Sequence, residues 1–168
     1  MNLLLDRYCK IIEALLIALL AGMVVLVFGN VFLRYAFNSG IAVSEELSRW
    51  LFVWMTFLGA IIGVHERAHL GTDFLVGKLS ITGKKILFTI SHILMIGICY
   101  VMFKGGLEQT LINLGTESAT MGISLAWVFG VSLIFSASAG VMLLGDLVRL
   151  LTGKLNLEEL EIRESEEA

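Results

Sequence analysis

Four charged residues of opposite sign are the strongest candidates for specific chemistry in this sequence. Arg34 follows the first long apolar run, and Glu45, Glu46 and Arg49 come just before the second. Charged groups at the edge of a segment that crosses a membrane are costly unless they are paired. We therefore expect these four residues to form one ion-paired network; the alternative is an ordinary solvated helix end.

The local pattern around this cluster predicts a helix start. Ser44 is a suitable N-cap, and Glu45 and Glu46 would then complement the dipole of the first turn. Arg49 follows them at i+4 and i+3, the spacings at which helical side chains pair. The apolar run 50–64 covers only about 22 Å of helix at ~1.5 Å per residue, less than the ~30 Å of a hydrocarbon core. We expect this shortfall to draw Arg49 towards the membrane and to favour a buried pair.

The histidines suggest weaker possibilities. His65 and His69 stand at i and i+4, as metal ligands on a helix would, but a third ligand is missing. His92, in an apolar run, could bind haem only opposite a second histidine, so a packed and hydrogen-bonded His92 is favoured. Phosphate loops, dinucleotide fingerprints, HExxH and GxSxG are absent from the sequence. We expect no enzymatic activity, no cofactor and no metal site.

Glu13 supports a different hypothesis, a stand-alone four-helix exporter coupled to protons. An acidic residue inside a membrane segment is a functional candidate by default, and small multidrug exporters use a glutamate in their first helix. Glu13 lies only three residues after Lys10, within one turn of the membrane boundary. Snorkelling or local pairing therefore explains Glu13 more simply.

Composition and hydropathy indicate which elements carry these residues. Apolar residues make up 57% of the 168 residues and charged residues 16%, against about 25% charged in a soluble domain; mean hydropathy is +0.88. Three runs, at 14–33, 86–103 and 118–145, are long enough to cross a membrane as helices. The run 50–64 is shorter, and it lengthens at its start if Arg49 snorkels to the membrane surface. We predict an all-α integral membrane bundle within residues 1–152, followed by an acidic cytoplasmic tail at 153–168. The four spans are predicted at about 11–33, 47–64, 85–104 and 121–146.

The distribution of Lys and Arg predicts the orientation. Nine of the twelve lie in the N-terminal segment, the loop between spans 2 and 3, and the tail, whereas Arg34, Arg49 and Lys104 lie on the other side. Because positive residues are retained in the cytoplasm, both termini and the central loop are predicted to be cytoplasmic. Within that loop, Thr72–Ser80 is predicted to form a short interfacial helix with Asp73 in its first turn.

Several segments resemble the small membrane subunit of tripartite ATP-independent periplasmic (TRAP) transporters, the DctQ-like family. The resemblance is densest in four motifs, at 30–37, 44–49, 52–60 and 67–73. The chain length, the four spans and the cytoplasmic position predicted for both ends also fit the family, so the resemblance covers nearly the whole chain. Spans 3 and 4 resemble the family in hydropathy alone.

The resemblance implies a multi-pass protein of the bacterial inner membrane that works with partners and does not bind nucleic acid. A periplasmic substrate-binding protein would capture a carboxylate-bearing solute, such as a C4-dicarboxylate, another organic acid or sialic acid. A large multi-spanning permease subunit would move the solute inward, driven by a sodium gradient, and the small subunit would enlarge the static scaffold. A chain without mid-membrane charges or a broken helix, as this sequence indicates, fits that scaffold role.

The residue pattern and the resemblance together suggest roles for individual residues. We expect one group to contact the large subunit or membrane lipids: Arg34, Glu45, Glu46, Arg49 and Trp54. A second group is expected to be polar and structural: Asn30, His69, Asp73 and His92.

Overall fold

The computed structural model describes residues 3–66 and 81–152, which fold almost entirely as helices. The helices are α1 (Leu3–Phe37), α2 (Ala42–His65), α3 (Ile81–Ile112) and α4 (Ala126–Leu151). Each is long and apolar enough to cross a membrane, which confirms the predicted all-α class with four spans. Three predicted features lie outside the described residues: the interfacial helix 72–80 with Asp73, His69, and the tail 153–168.

The helices do not coincide with the apolar runs. α1 has 35 residues, about 52 Å at ~1.5 Å per residue. It is longer than the predicted span 11–33 because the helix continues into the polar residues on both sides of the apolar run. α4 begins at Ala126 and not at residue 121, although residues 121–125 are uncharged. The chain turns there instead: Gly122 has a φ of +64°, and Ser118 donates its backbone N–H to the Ile123 carbonyl at 2.9 Å.

The helices pack side by side in the order α1, α2, α4, α3. α1 and α2 form an antiparallel hairpin across the turn 38–41, where Asn38 adopts a left-handed φ of 48°, a conformation that asparagine tolerates. α2 and α4 run in the same direction, since Phe57 and Phe135 pack with ring centroids 5.7 Å apart while Trp54 lies one turn earlier beside Trp127.

The best-buried residues lie where α1, α2 and α4 meet. Ile61 and Val131 are fully buried, and Cys9, Ile12 and Leu58 belong to the same cluster. In a membrane such a cluster is held by close packing and dispersion, because lipid tails are as apolar as the side chains.

Small residues permit close approach between neighbouring helices. Gly106 of α3 faces Ser132 of α4 so closely that a methyl group at Gly106 would collide with it. A Cβ at Gly22 would lie 3.8 Å from Leu51, an ordinary contact across the α1–α2 pair. Gly22 of α1 and Gly106 of α3 therefore face neighbouring helices within this chain.

Two side-chain contacts show which chain segments share an end of the molecule. His65, at the end of α2, lies 3.6 Å from Asp6 near the start of α1. At the opposite end, Glu46 accepts a hydrogen bond from Thr120 in the α3–α4 loop. Because α2 and α4 run in the same direction, the start of α1 and the end of α4 lie at the same end.

Candidate functional site

A groove between α1 and α2 contains most of the predicted site residues. It is a cavity of about 400 Å³ at the end of the hairpin where the turn 38–41 lies. Its apolar wall is formed by Val27 and Val31. Its polar lining consists of Asn30, Arg34, Ser44, Glu45, Ser48 and Arg49.

Asn30 joins the three segments that surround the groove. It is buried, and its Oδ1 accepts the backbone N–H of Ile41 at 2.7 Å. Its Nδ2 donates to Oε1 of Glu45 at 3.2 Å. One amide side chain on α1 therefore holds both the turn and the first part of α2.

Two buried serines of α2 lie next to the charged groups, and one of them bonds to α1. Ser44 Oγ donates to the carbonyl oxygen of Leu26 on α1 at 2.8 Å, and Ser48 Oγ donates to the carbonyl of Glu45 at 3.1 Å. The predicted N-cap role of Ser44 is wrong, because α2 begins at Ala42, with Ile41 at the N-cap position. Ser44 lies inside the helix, on the side that faces α1.

Three of the four predicted network residues meet in the groove. Nη1 of Arg34 lies 3.8 Å from Oε1 of Glu45, with both side chains more than half exposed within this chain. Arg49 donates from Nε to the backbone carbonyl of Glu45 at 3.3 Å, not to a carboxylate. Helical side chains lean towards their own N-terminus, so the two arginines, on antiparallel helices, lean towards each other.

Glu46 points to a different part of the molecule. Its carboxylate accepts hydrogen bonds from Thr120 and Ser118 in the α3–α4 loop. Successive helical residues are about 100° apart around the axis, so Glu45 and Glu46 face different neighbours. The expected network of four residues is therefore not formed. Glu45 lies in the groove, and Glu46 bonds the α3–α4 loop to α2.

Trp54 lies away from the groove, about 13 Å along α2 from Glu45 at ~1.5 Å per residue. Its indole Nε1 donates to the backbone carbonyl of Trp127 at 3.1 Å. Trp127 lies in the first turn of α4. Trp54 thus connects α2 to α4 within this chain.

The two histidines that the structure describes contact side chains and backbone of this chain. His92 is buried; its Nδ1 donates to the Phe88 carbonyl at 3.0 Å, and its ring stacks on Phe88 with centroids 3.9 Å apart. His65 faces Asp6. Within residues 3–66 and 81–152, no three His, Cys, Asp or Glu side chains come together as metal ligands would.

Sequence reasoning missed the contacts made over long sequence separations. Thr120 meets Glu46 across 74 residues, and Tyr8 Oη lies 2.8 Å from Ser138 Oγ across 130 residues. No periodic or motif signal in a single sequence marks such pairs, because they depend on which helices become neighbours.

Comparison with known proteins identifies the family. Residues 23–153 match the family model for the DctQ component of tripartite ATP-independent periplasmic transporters. A Haemophilus influenzae protein named as a TRAP transporter small permease protein is 38% identical over 139 residues, covering 83% of this chain and 86% of the relative.

Two relatives from Vibrio cholerae carry a solute in their names. The sialic acid TRAP transporter small permease protein SiaQ is 27% identical over 150 residues, 84% of this chain and 83% of the relative. The C4-dicarboxylate TRAP transporter small permease protein DctQ is 42% identical over 71 residues, 42% of this chain and 31% of the relative.

The family match includes the groove, the second part of α1 and the whole of α2, α3 and α4, so the resemblance deduced from the sequence is confirmed. The protein is a transporter component and not an enzyme. Its four membrane-crossing helices make it a multi-pass protein of the inner membrane. The chain belongs to the DctQ family, the small permease component of tripartite ATP-independent periplasmic transporters.

Proposed function

We propose that this chain is the scaffold subunit of a sodium-driven importer of a carboxylate-bearing solute. Its partners are a large multi-spanning permease subunit and a periplasmic substrate-binding protein. The solute is a C4-dicarboxylate, another organic acid or sialic acid; the first and the last of these stand in the names of two relatives. The observation that carries this proposal is that the membrane helices are uninterrupted, have no acidic or basic residue in their central parts and expose wide apolar faces.

The helices lack the features with which a membrane protein binds an organic anion. Each of the four is continuous, and none carries an acidic or basic residue in its central part, although His92 lies in α3. Anionic substrates and coupling ions are held in transporters by intramembrane charges or by the ends of broken helices. We therefore assign solute and sodium binding to the large subunit.

The outer helices of the row present apolar surface to their surroundings. On α1, Val25 and Phe28 are each 70% exposed, and on α3, Ile98 and Val101 are similarly exposed. Ala18, also exposed on α1, permits another helix to approach closely. These faces suit a subunit that lies in the membrane beside a larger partner.

The exporter hypothesis has little support. Glu13 is exposed on α1, one turn from Lys10 and just before the uncharged part of the helix, which begins at Ala14. The related proteins are TRAP small permeases and not exporters.

Orientation can be tested by cysteine labelling from outside the cell, after Cys9 and Cys99 are replaced by serine. Because positive residues are retained in the cytoplasm, single cysteines at Ser39 and Thr116 should react with a membrane-impermeant maleimide. A cysteine at Lys84 should react only after the membrane is opened. Labelling of position 84 in intact cells, with positions 39 and 116 protected, would reverse the proposed orientation.

The role of the chain can be tested by solute uptake into liposomes. Liposomes containing this chain alone should show no solute-specific flux, whereas adding the large permease and the binding protein should produce uptake that requires an inward sodium gradient. Glu13→Gln should leave that uptake at the wild-type rate, because Glu13 is assigned no part in coupling. Specific flux from the chain alone, or loss of flux in Glu13→Gln, would reject the scaffold role.

A further inference from the structure

We propose that the groove between α1 and α2 binds the phosphate of an anionic lipid headgroup, with Arg34 and Arg49 as its cationic ligands. This inference does not depend on the transport function proposed above. It concerns what occupies the groove when the protein lies in a membrane.

The balance of charge in the groove favours an added anion. Two guanidinium groups, those of Arg34 and Arg49, line the cavity with a single carboxylate, that of Glu45. Glu46 attracts Arg49 at longer range, but its oxygens accept hydrogen bonds from the α3–α4 loop. The groove therefore holds one more positive than negative charge.

The geometry leaves both arginines able to bind a further ligand. Arg34 Nη1 and Glu45 Oε1 are 3.8 Å apart, longer than the ~2.7–3.2 Å of a hydrogen bond. Arg49 is held by its Nε to the carbonyl of Glu45, so its two terminal nitrogens remain as donors. Arginine binds phosphate well because its planar fork matches two phosphate oxygens.

The depth of the groove favours a lipid over an ion from water. From Arg49 to the end of α2 at His65 is about 24 Å at ~1.5 Å per residue, less than a hydrocarbon core of ~30 Å. Arg49 therefore lies near the boundary where lipid phosphates are found. Val27 and Val31 line the same cavity, and these apolar side chains suit an acyl chain more than a free anion.

The proposal can be tested on the full-length chain purified in a neutral detergent. Dioleoyl phosphatidylglycerol is titrated, and bound lipid is followed by native mass spectrometry together with the shift in melting temperature. Saturable binding is expected, with Arg34→Gln and Arg49→Gln each weakening it about tenfold or more, since each removes a charge-assisted bond. Arg149→Gln is the matched control and should bind normally, because Arg149 lies near the end of α4 beside Asp146.

Two further ligands show whether the acyl chains alone or the phosphate alone can stabilise the protein. Dioleoylglycerol has the same acyl chains without phosphate, and inorganic phosphate has no acyl chains. Neither should stabilise the protein as phosphatidylglycerol does at the same concentration. Equal stabilisation by dioleoylglycerol would overturn the role of phosphate, and equal stabilisation by inorganic phosphate would overturn the assignment to a lipid.

A variant that strengthens binding provides a test that a folding defect cannot imitate. Glu45→Gln removes the only carboxylate in the lining, while its amide oxygen can still accept from Asn30. Binding of phosphatidylglycerol should become several-fold tighter, because repulsion between the carboxylate and the phosphate is removed. Unchanged or weaker binding in Glu45→Gln, or wild-type binding in the double variant Arg34→Gln/Arg49→Gln, would overturn the proposal.

Discussion

Asn30→Ala is expected to lower the free energy of unfolding by about 1–3 kcal/mol, because it leaves the backbone N–H of Ile41 without its acceptor. The same change removes the hydrogen bond to Glu45, so the turn and α2 lose their common link to α1. The measurement is reversible unfolding in mixed micelles with increasing denaturing detergent, followed by helical circular dichroism.

The matched control is Asn113→Ala. The side chain of Asn113 bonds to Gln109, one turn before it on an exposed part of the chain, so the loss of that side chain should cost less than about 0.5 kcal/mol. Asn30→Asp preserves the acceptor for Ile41 but places a second carboxylate beside Glu45. It should be destabilised at neutral pH and should recover when Glu45→Gln is added. Equal effects of Asn30→Ala and Asn113→Ala would contradict the role given to Asn30.

Ile61→Ala is expected to have the largest effect of a single core substitution, about 2–5 kcal/mol in the free energy of unfolding. Ile61 is fully buried and packs in the cluster shared by α1, α2 and α4. Removing three carbons leaves a cavity that its neighbours, Cys9, Leu58 and Val131, can fill only by moving. The substitution therefore weakens the dispersion attraction between side chains, which holds membrane helices together.

The same substitution on an outward face provides the comparison. Ile17 on α1 is 70% exposed, so Ile17→Ala should change the stability of the isolated chain by less than about 0.5 kcal/mol. Both variants are measured in the same unfolding assay. If Ile17→Ala is as destabilising as Ile61→Ala, or if Ile61→Ala has no effect, the assignment of the core at the α1, α2 and α4 contact is incorrect.

Much of the fold follows from local properties of the sequence. Helix number, approximate position and membrane character depend on runs of apolar side chains, and each run can be recognised without knowing its neighbours. The clustering of Arg34, Glu45 and Arg49 was also predictable, because a short turn necessarily brings the end of one helix to the start of the next.

The failures have a common physical origin. Ser44 has the chemistry of an N-cap, but it lies inside α2, and its hydroxyl bonds to the Leu26 carbonyl on α1. Glu46 has the spacing of a partner for Arg49, but it bonds to Thr120. A polar side chain near a membrane bonds to whichever group lies closest, and sequence spacing describes only the groups on its own helix.

The sequence by itself determined that this protein is a four-helix membrane chain, that four charged residues lie around the connection between the first two spans, and that the chain resembles the DctQ family. Apolar length and local charge produce these properties, and both can be read along one chain. Only the tertiary structure decided that the helices lie in the order α1, α2, α4, α3 and that Glu46 points away from the groove towards the α3–α4 loop. Helix order depends on the fit of small and large side chains between surfaces, and that fit appears only when the helices are packed together.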